Sequence, residues 1–275
     1  MKKLLLKTLW LAFLSCSLAA EDAKFEMKGV KVSLISELSE VSPGRKFKVA
    51  FFIQHFDGFH TYWKNPGLVG FATTVNWELP EGFTAGEIQW QVPERSKMLK
   101  YNCHAYKGDA YLLVDMQAPE KIPEKFQLKA KVGGMSCSTK ECCKIGFLDV
   151  AVDLKAADKP KLNKSSAEII SQAMARLPQL DNDIKVSSER KEDWLTLKIS
   201  GELPKLSDVY FYSDENITDT ESEQVLTKVD NVYFLKVKLN KYTPEKLSSL
   251  SGLLFSSSGW SEQKTKYIKI ESQVN

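Results

Sequence analysis

The chain has 275 residues, of which 43% are hydrophobic and 11% aromatic, enough to form the cores of two ordinary domains. Its 38 basic and 35 acidic residues nearly cancel, and neither a polybasic block nor basic residues interleaved with aromatic ones are present. This charge pattern excludes an electrostatic surface for nucleic acid.

The N-terminus has the order of a secretory signal peptide. Met1-Lys2-Lys3 is basic, apolar residues dominate up to Leu18, and Ala19-Ala20 provides small residues at a cleavage site. The apolar run is shorter than the roughly 20 residues that span a bilayer. We therefore predict that residues 1–20 are a signal peptide and that the mature protein is periplasmic or otherwise exported, soluble and without a membrane span. A lipoprotein tether at Cys16 is the minority alternative.

Residues 21–156 contain short segments with apolar residues at every second position, separated by turns rich in Gly and Pro. In one of them, Phe47, Val49 and Phe51 fall on the same face. The predicted strands cover residues 31–38, 46–54, 73–79, 87–92, 110–116, 126–132 and 147–154. Strands of this length and spacing predict an antiparallel β-sandwich of immunoglobulin-like type.

Residues 157–183 interrupt this pattern. Their polar, proline-containing start is typical of a linker. Ser165 and Glu168 have the spacing of a capping box, and Ile169, Ile170 and Ala173 follow at helical spacing. We predict a linker with one short helix.

Residues 184–275 return to strands, predicted at 184–188, 194–200, 209–212, 224–229, 232–239, 253–256 and 267–272, with a hairpin turn at Asp230-Asn231. This half contains no cysteine and no histidine, so we expect it to have a binding or spacing role. The predicted fold class is all-β: two immunoglobulin-like antiparallel β-sandwich domains joined by a linker with one short helix.

Three of the five cysteines fall within seven residues, at Cys137, Cys142 and Cys143. In an oxidising compartment cysteines can pair and stay paired. Cys137 and Cys143 could meet across a tight loop, but so short a loop removes little unfolded-state entropy, so an inert bridge would add little stability. Lys140 and Lys144 beside the sulfurs favour a thiolate, which makes redox exchange the preferred interpretation of this loop.

Other arrangements of the thiols stay open. Cys142 adjoins Cys143 and should be free, a metal ligand or paired elsewhere, for example with Cys103. The set Cys103, His104, Cys137 and Cys142 could form a soft site for Cu(I) or Zn²⁺, although no Cys-x-x-Cys or paired-histidine spacing supports it.

Aromatic residues precede these thiols in the chain. Tyr62 and Trp63 could fill the sandwich core, whereas Phe59, His60 and Tyr62 could instead form an aromatic cap over the thiols. No Ser-His-Asp set, phosphate loop or carboxylate pair favours hydrolase chemistry.

Several phrases occur in an order that is found in one protein family. They are His60-Thr61-Tyr62-Trp63-Lys64-Asn65-Pro66-Gly67, Trp77-Glu78-Leu79-Pro80-Glu81-Gly82-Phe83, Ile88-Gln89-Trp90, Tyr106-Lys107-Gly108 and the paired-cysteine loop. Over about residues 25–155 the chain resembles the periplasmic N-terminal domain of the thiol:disulfide interchange protein DsbD family, especially its ScsB-like relatives linked to suppression of copper sensitivity. The second half resembles the further β-rich region of those relatives loosely.

This resemblance implies an immunoglobulin-like sandwich whose cysteine pair passes electrons to thioredoxin-fold periplasmic proteins, with links to cytochrome c biogenesis and copper tolerance. The pair would be Cys137 and Cys143, one as the attacking thiolate and the other as the resolving thiol, with Cys142 and Cys103 as auxiliary thiols. Cys142 and Lys144 depart from the family pattern, which usually has a non-cysteine residue and often a proline at these positions. Since the family's membrane and thioredoxin-like domains are not in this sequence, we expect a separate membrane electron donor.

The leading hypothesis is therefore an exported thiol-disulfide interchange protein without a resident cofactor. The alternatives are a non-catalytic binding or adaptor module with structural cysteines, and a copper- or zinc-binding protein.

Overall fold

The structure is a computed structural model that describes residues 27–138, 140, 145–181, 183–261 and 265–275. Within these residues it contains one helix, α1, and otherwise strands. The strands of the first domain are β1 (Val30–Ser36), β2 (Leu38–Val41), β3 (Lys46–His55), β4 (Phe59–Tyr62), β5 (Thr74–Glu78), β6 (Thr84–Ala85), β7 (Gln89–Trp90), β8 (Glu94–Met98), β9 (Tyr101–Tyr106), β10 (Asp109–Gln117), β11 (Lys125–Met135), β12 (Cys137–Ser138) and β13 (Ile145–Ala156). The predicted signal peptide and Cys16 lie outside the described residues.

Two sheets of the first domain pack face to face. One has the order β1-β3-β10-β6, with β7 also paired to β10, and the other contains β2, β13, β11 and β5 in that order. The predicted alternation in β3 is confirmed, because Phe47, Val49, Phe51 and Ile53 are all buried in the core between the sheets. The sandwich therefore rests on the period of two that the sequence displays.

A third sheet, which we call the thiol sheet, has the order β12-β4-β9-β8. None of its four strands was predicted. In β9 the last four residues, from Cys103 to Tyr106, are all buried, and in β4 the last three are. A strand that is covered on both faces shows no alternation of apolar and polar residues, which explains why the pattern missed it.

The segment between the domains contains β14 (Lys161–Leu162), α1 (Lys164–Ala175) and β15 (Gln179–Leu180). The predicted start of the helix is corrected: its N-cap is Asn163, whose side chain accepts a hydrogen bond from the backbone N–H of Ser166 at 3.4 Å. Ile170 and Ala173 of α1 pack against the first domain, while β15 pairs in parallel with the last strand of the chain.

The second domain contains β16 (Lys185–Lys191), β17 (Trp194–Ser200), β18 (Tyr210–Ser213), β19 (Val225–Val229), β20 (Val232–Lys238), β21 (Ser249–Phe255) and β22 (Tyr267–Gln273). They form two sheets, β15-β22-β21-β18 and β16-β17-β20-β19. The hairpin predicted at Asp230-Asn231 is confirmed between Val229 and Val232. The core of the second domain includes Leu197, Phe211, Leu235 and Trp260.

The predicted fold class is confirmed, and the two domains touch through a buried boundary. Tyr210, Tyr212 and Leu253 of the second domain belong to the same buried apolar cluster as the core of the first. In the described part of the chain, no helix has the length and apolar character needed to cross a membrane.

Candidate functional site

Cys137 lies on the thiol sheet, where the short strand β12 pairs with β4. Its Cα partner across the strands is His60, and Ser138 faces Phe59. The side chain of Cys137 is 0% exposed. The expectation of a surface position is therefore corrected at Cys137, which is buried among Tyr62, Met98, Cys103 and Ala105. Cys142 and Cys143 lie outside the described residues.

Cys137 belongs to a buried group that we call the thiol cluster: Tyr62, Met98, Cys103, Ala105 and Cys137, with the partly buried Val69 and Met135 packed against it. The Sγ atom of Cys137 lies 3.8 Å from the Sδ atom of Met98. Among the described residues, Cys103 and Cys137 are both free thiols. The structure thus brings the predicted auxiliary thiol Cys103 into the same cluster as the predicted catalytic Cys137.

Cys103 is less ready to ionise than an ordinary cysteine. Burial, and next the charge of Cys137, raise the pKa of the Cys103 thiol to about 11. A thiol with so high a pKa stays protonated at neutral pH and is a poor nucleophile. Cys103 thus lies in the thiol cluster as a buried thiol that resists ionisation.

The three predicted cap residues occupy different positions. His60 and Tyr62 are buried, their rings meet edge to face with centroids 5.1 Å apart, and His60 Nε2 lies 3.3 Å from the Tyr62 hydroxyl. Burial, followed by the charges of Lys107 and His55, lowers the pKa of His60 to about 4, so its ring is neutral near pH 7. Phe59, in contrast, is only partly buried.

Two glycines leave room for these aromatic rings. A Cβ atom on Gly29 would lie 2.2 Å from the ring of Phe59, and one on Gly70 would lie 2.3 Å from the ring of Tyr62. Both glycines also have positive φ, +76° and +103°. Phe59 thus packs on Gly29, while Tyr62, a member of the thiol cluster, packs on Gly70.

His104 follows Cys103 in β9 but faces the second domain. Its Nδ1 atom donates a hydrogen bond to the Asn65 carbonyl at 3.0 Å, and its Nε2 atom lies 3.1 Å from the Tyr210 hydroxyl. Burial lowers the pKa of His104 to about 4, so Nε2 accepts from Tyr210.

This orientation bears on the predicted metal set. Both ring nitrogens of His104 already have protein partners, so it is not assembled with Cys103 and Cys137. Within the ranges that the structure covers, no three His, Cys, Asp or Glu side chains converge on a metal-sized site.

Polar contacts across the domain boundary surround His104. The Asn65 side-chain amide donates to the carbonyls of Ser213 and Glu215, each at 2.8 Å. The Arg95 guanidinium donates to both carboxylate oxygens of Asp208, at 2.9 and 2.7 Å. The sequence signal for this boundary is the phrase from Trp63 to Asn65, whose polar residues follow a buried strand.

Further contacts extend the boundary on both sides of this centre. Lys64 Nζ lies 2.7 Å from Asp214, the Tyr267 hydroxyl donates to the Pro93 carbonyl at 3.0 Å, and the rings of Trp63 and Tyr212 meet edge to face. The boundary therefore combines aromatic packing with directed hydrogen bonds.

A cleft of about 450 Å³ runs along the β8–β9 hairpin at the domain boundary. Its lining includes Arg95, Asn102, Cys103, Asp208, Tyr210 and Glu221. Cys137 is not among the residues that line this cleft.

Comparisons with known proteins agree with the sequence resemblance. Residues 32–146 match the family described as "Thiol:disulfide interchange protein DsbD, N-terminal". A comparison with curated protein sequences gives no significant match. The predicted resemblance to this family is therefore confirmed, and its match ends before the second domain.

Among solved structures, the chain is similar to the N-terminal periplasmic domain of ScsB from Proteus mirabilis, with a TM-score of 0.67 and 16% identity over 90% of this chain and 94% of that one. It also matches the reduced N-terminal domain of DsbD from Neisseria meningitidis, with a TM-score of 0.26 and 12% identity over 47% of this chain and 90% of that one. The first likeness shows that the two-domain fold as a whole has a solved counterpart.

Proposed function

Because residues 32–146 match the N-terminal domain of the interchange protein DsbD, we propose that this chain is an exported thiol-disulfide interchange protein. In this proposal Cys137 and Cys143 exchange a disulfide with thioredoxin-fold partner proteins in the periplasm. A membrane electron carrier supplies or receives the electrons. The protein works without a resident metal.

The observation that carries the proposal is the position of Cys137. It lies on a two-residue strand at the edge of the thiol sheet, and the residues that follow lead to Cys143. The fully buried Cys137 thiol is suited to a step inside the protein, while a partner must first meet a thiol that it can reach. We therefore assign the resolving role to Cys137 and contact with the partner to Cys143.

The exchange then balances in two steps. The Cys143 thiolate attacks one sulfur of a partner disulfide, forming a mixed disulfide and releasing the other partner sulfur as a thiolate. Cys137 loses its proton to water and attacks Cys143, which releases the second partner thiolate and leaves a Cys137–Cys143 disulfide. Two electrons pass to the partner, and the same steps run in reverse when the partner is the stronger reductant.

Trapping experiments test this assignment of roles. The partner probe is a thioredoxin-fold protein with a single active-site cysteine, carried as its mixed disulfide with thionitrobenzoate. With Cys137→Ser, Cys143 should displace thionitrobenzoate and form a stable mixed disulfide, detected by mass. With Cys143→Ser, the buried Cys137 should react about tenfold more slowly, because burial limits access to the thiol.

Cys142→Ser is the matched control, since it removes the adjacent thiol. It should leave the exchange of the Cys137 and Cys143 pair unchanged. Loss of exchange in Cys142→Ser would contradict the assigned pair. An adaptor with structural cysteines would bind the partner in every variant and trap it in none, which would overturn the proposal.

A further inference from the structure

The thiol sheet is covered by different groups on its two faces. Neighbouring residues of a strand point to opposite faces, and directly paired residues share one. Ser96 pairs with Cys103, and Tyr62 pairs with Ala105. These residues share the face of the thiol cluster, to which Met98 and Cys137 also belong.

The residues next to them face the second domain. Arg95, which precedes Ser96, pairs across the hairpin with His104, which follows Cys103. Both contact the second domain, Arg95 through Asp208 and His104 through Tyr210. Each contact with the second domain is thus one residue away from a side chain on the thiol face.

The same alternation holds at Asn102, and a further contact with the second domain lies just after β4. Asn102, beside Cys103, donates its backbone N–H to Glu221 Oε1 at 2.6 Å, and its side-chain amide donates to the Thr220 carbonyl at 3.0 Å. After β4, Asn65 holds two carbonyls of the second domain only three residues beyond Tyr62.

From this arrangement we propose that the second domain positions the thiol sheet, and that Tyr210 and Asn65 are positioning residues for the exchange at Cys137. This inference rests on the proposed function, since positioning Cys137 affects the reaction only if Cys137 takes part in disulfide exchange. The second domain then takes part in the reaction by holding Tyr62, Cys103 and the strand beside Cys137 in place.

The burial of these contacts makes such coupling effective. His104 is 1% exposed and Asn65 is 3% exposed, so neither can replace a lost partner with bulk water without moving. The backbone of β9 transmits a shift of His104 to its neighbour Cys103, and the residues after β4 transmit a shift of Asn65 to Tyr62.

The test uses full-length Tyr210→Phe, which keeps the ring and removes only the hydroxyl that donates to His104. Tyr233→Phe is the matched control. Its hydroxyl is also buried, accepting from the Leu206 N–H at 3.1 Å and donating to the Pro204 carbonyl at 3.3 Å, but wholly inside the second domain. Asn65→Ala is a second, independent change at the boundary.

Two quantities are measured for each variant. One is the alkylation rate of Cys137 in the reduced protein, followed by peptide mass spectrometry, and the other is the fraction of oxidised pair in glutathione buffers of known potential. Tyr210→Phe and Asn65→Ala should each change the alkylation rate or the oxidation equilibrium by about threefold or more. Tyr233→Phe should match the unchanged protein in both, even where its thermal stability falls.

Equal values for Tyr210→Phe and Tyr233→Phe, with Asn65→Ala also unchanged, would overturn the positioning role. The alkylation rate of Cys137 distinguishes a failure of the positioning role from a failure of the proposed interchange function. If the pair never forms a disulfide in the unchanged protein, the interchange function fails, while the alkylation rates still show whether the second domain positions Cys137.

Discussion

The two faces of the thiol sheet differ in how they hold their side chains. On one face, Cys137, Cys103 and Met98 pack through sulfur and apolar contacts, which have little directional preference. On the other, His104 and Asn65 make hydrogen bonds of defined length and direction to the second domain. In the proposed exchange, the hydrogen-bonded face sets the position of the sheet, while the sulfur-lined face changes its bonding.

The largest loss of stability is expected from a substitution that disrupts packing on the face of the thiol sheet that contains Cys137. Gly70→Ala would place a Cβ atom 2.3 Å from the buried ring of Tyr62 at a φ of +103°. The steric overlap with Tyr62 and the positive φ that the alanine must adopt should together lower the free energy of unfolding by about 3 kcal/mol. Urea denaturation measures the change.

Gly58→Ala is the control for the backbone effect alone, because Gly58 has a φ of +81° and open space around its Cβ position. It should cost only about 1 kcal/mol. Equal losses for the two variants would show that contact with Tyr62 does not matter on this face.

The next largest effect is a loss of folding stability at acidic pH, when His104 on the hydrogen-bonded face becomes protonated. The pKa of His104 is about 4 in the folded protein, below the ordinary 6.5, so the unfolded chain binds a proton more readily. Its contribution is therefore complete above about pH 6.5 and is lost as the pH falls towards 4, by up to about 3 kcal/mol. Stability measured by urea denaturation across this range should fall, and an NMR titration of His104 with a midpoint near 6.5 would contradict the buried contact.

A smaller loss should follow from Asn65→Ala. This variant leaves the carbonyls of Ser213 and Glu215 without the amide that binds them, and should lower the free energy of unfolding by about 2 kcal/mol. The exposed Asn76, in strand β5, provides the matched control, as Asn76→Ala should change stability by less than about 0.5 kcal/mol. A similar result for both variants would remove Asn65 from the contacts that set the boundary.

The smallest effect concerns the half-exposed pair Arg95 and Asp208. Their side chains are 47% and 48% exposed, so Asp208→Asn should cost only about 0.5 kcal/mol, and added salt should reduce that difference. Thermal unfolding at low and high salt measures it. A loss that salt does not change would mean that packing of Arg95 on Tyr210, at 5.1 Å, matters more than the charge pair.

The sequence predicted the strands whose two faces meet different surroundings. In β3, Phe47 and Phe51 face the core while Lys46 and Lys48 are at least partly exposed, so the alternation was visible. In β9 both faces are buried, and the pattern disappeared. Had β9 been recognised as a strand, period-two alternation alone would have placed His104 on the face opposite to Cys103 and removed it from the proposed metal set.

The site was only partly predictable for a related reason. The spacing of the cysteines identified Cys137 as a candidate, but its burial depends on the pairing of β12 with β4, a contact between residues far apart in the chain. The role of Trp63, Lys64 and Asn65 at the domain boundary depends on the second domain, which no local pattern of the first half contains. The burial of Cys137 and the boundary contacts therefore depend on long-range packing, which local periodicity in the sequence does not reveal.

Redox mapping of the full-length protein tests whether Cys137 and Cys143 form an exchangeable disulfide. The protein is alkylated before and after mild reduction, and the peptides that contain Cys103, Cys137, Cys142 and Cys143 are identified by mass spectrometry. We predict that Cys137 and Cys143 become alkylated together only after reduction, and that reoxidation restores a peptide in which they are linked. If these two thiols never interconvert with a disulfide, the interchange function is wrong.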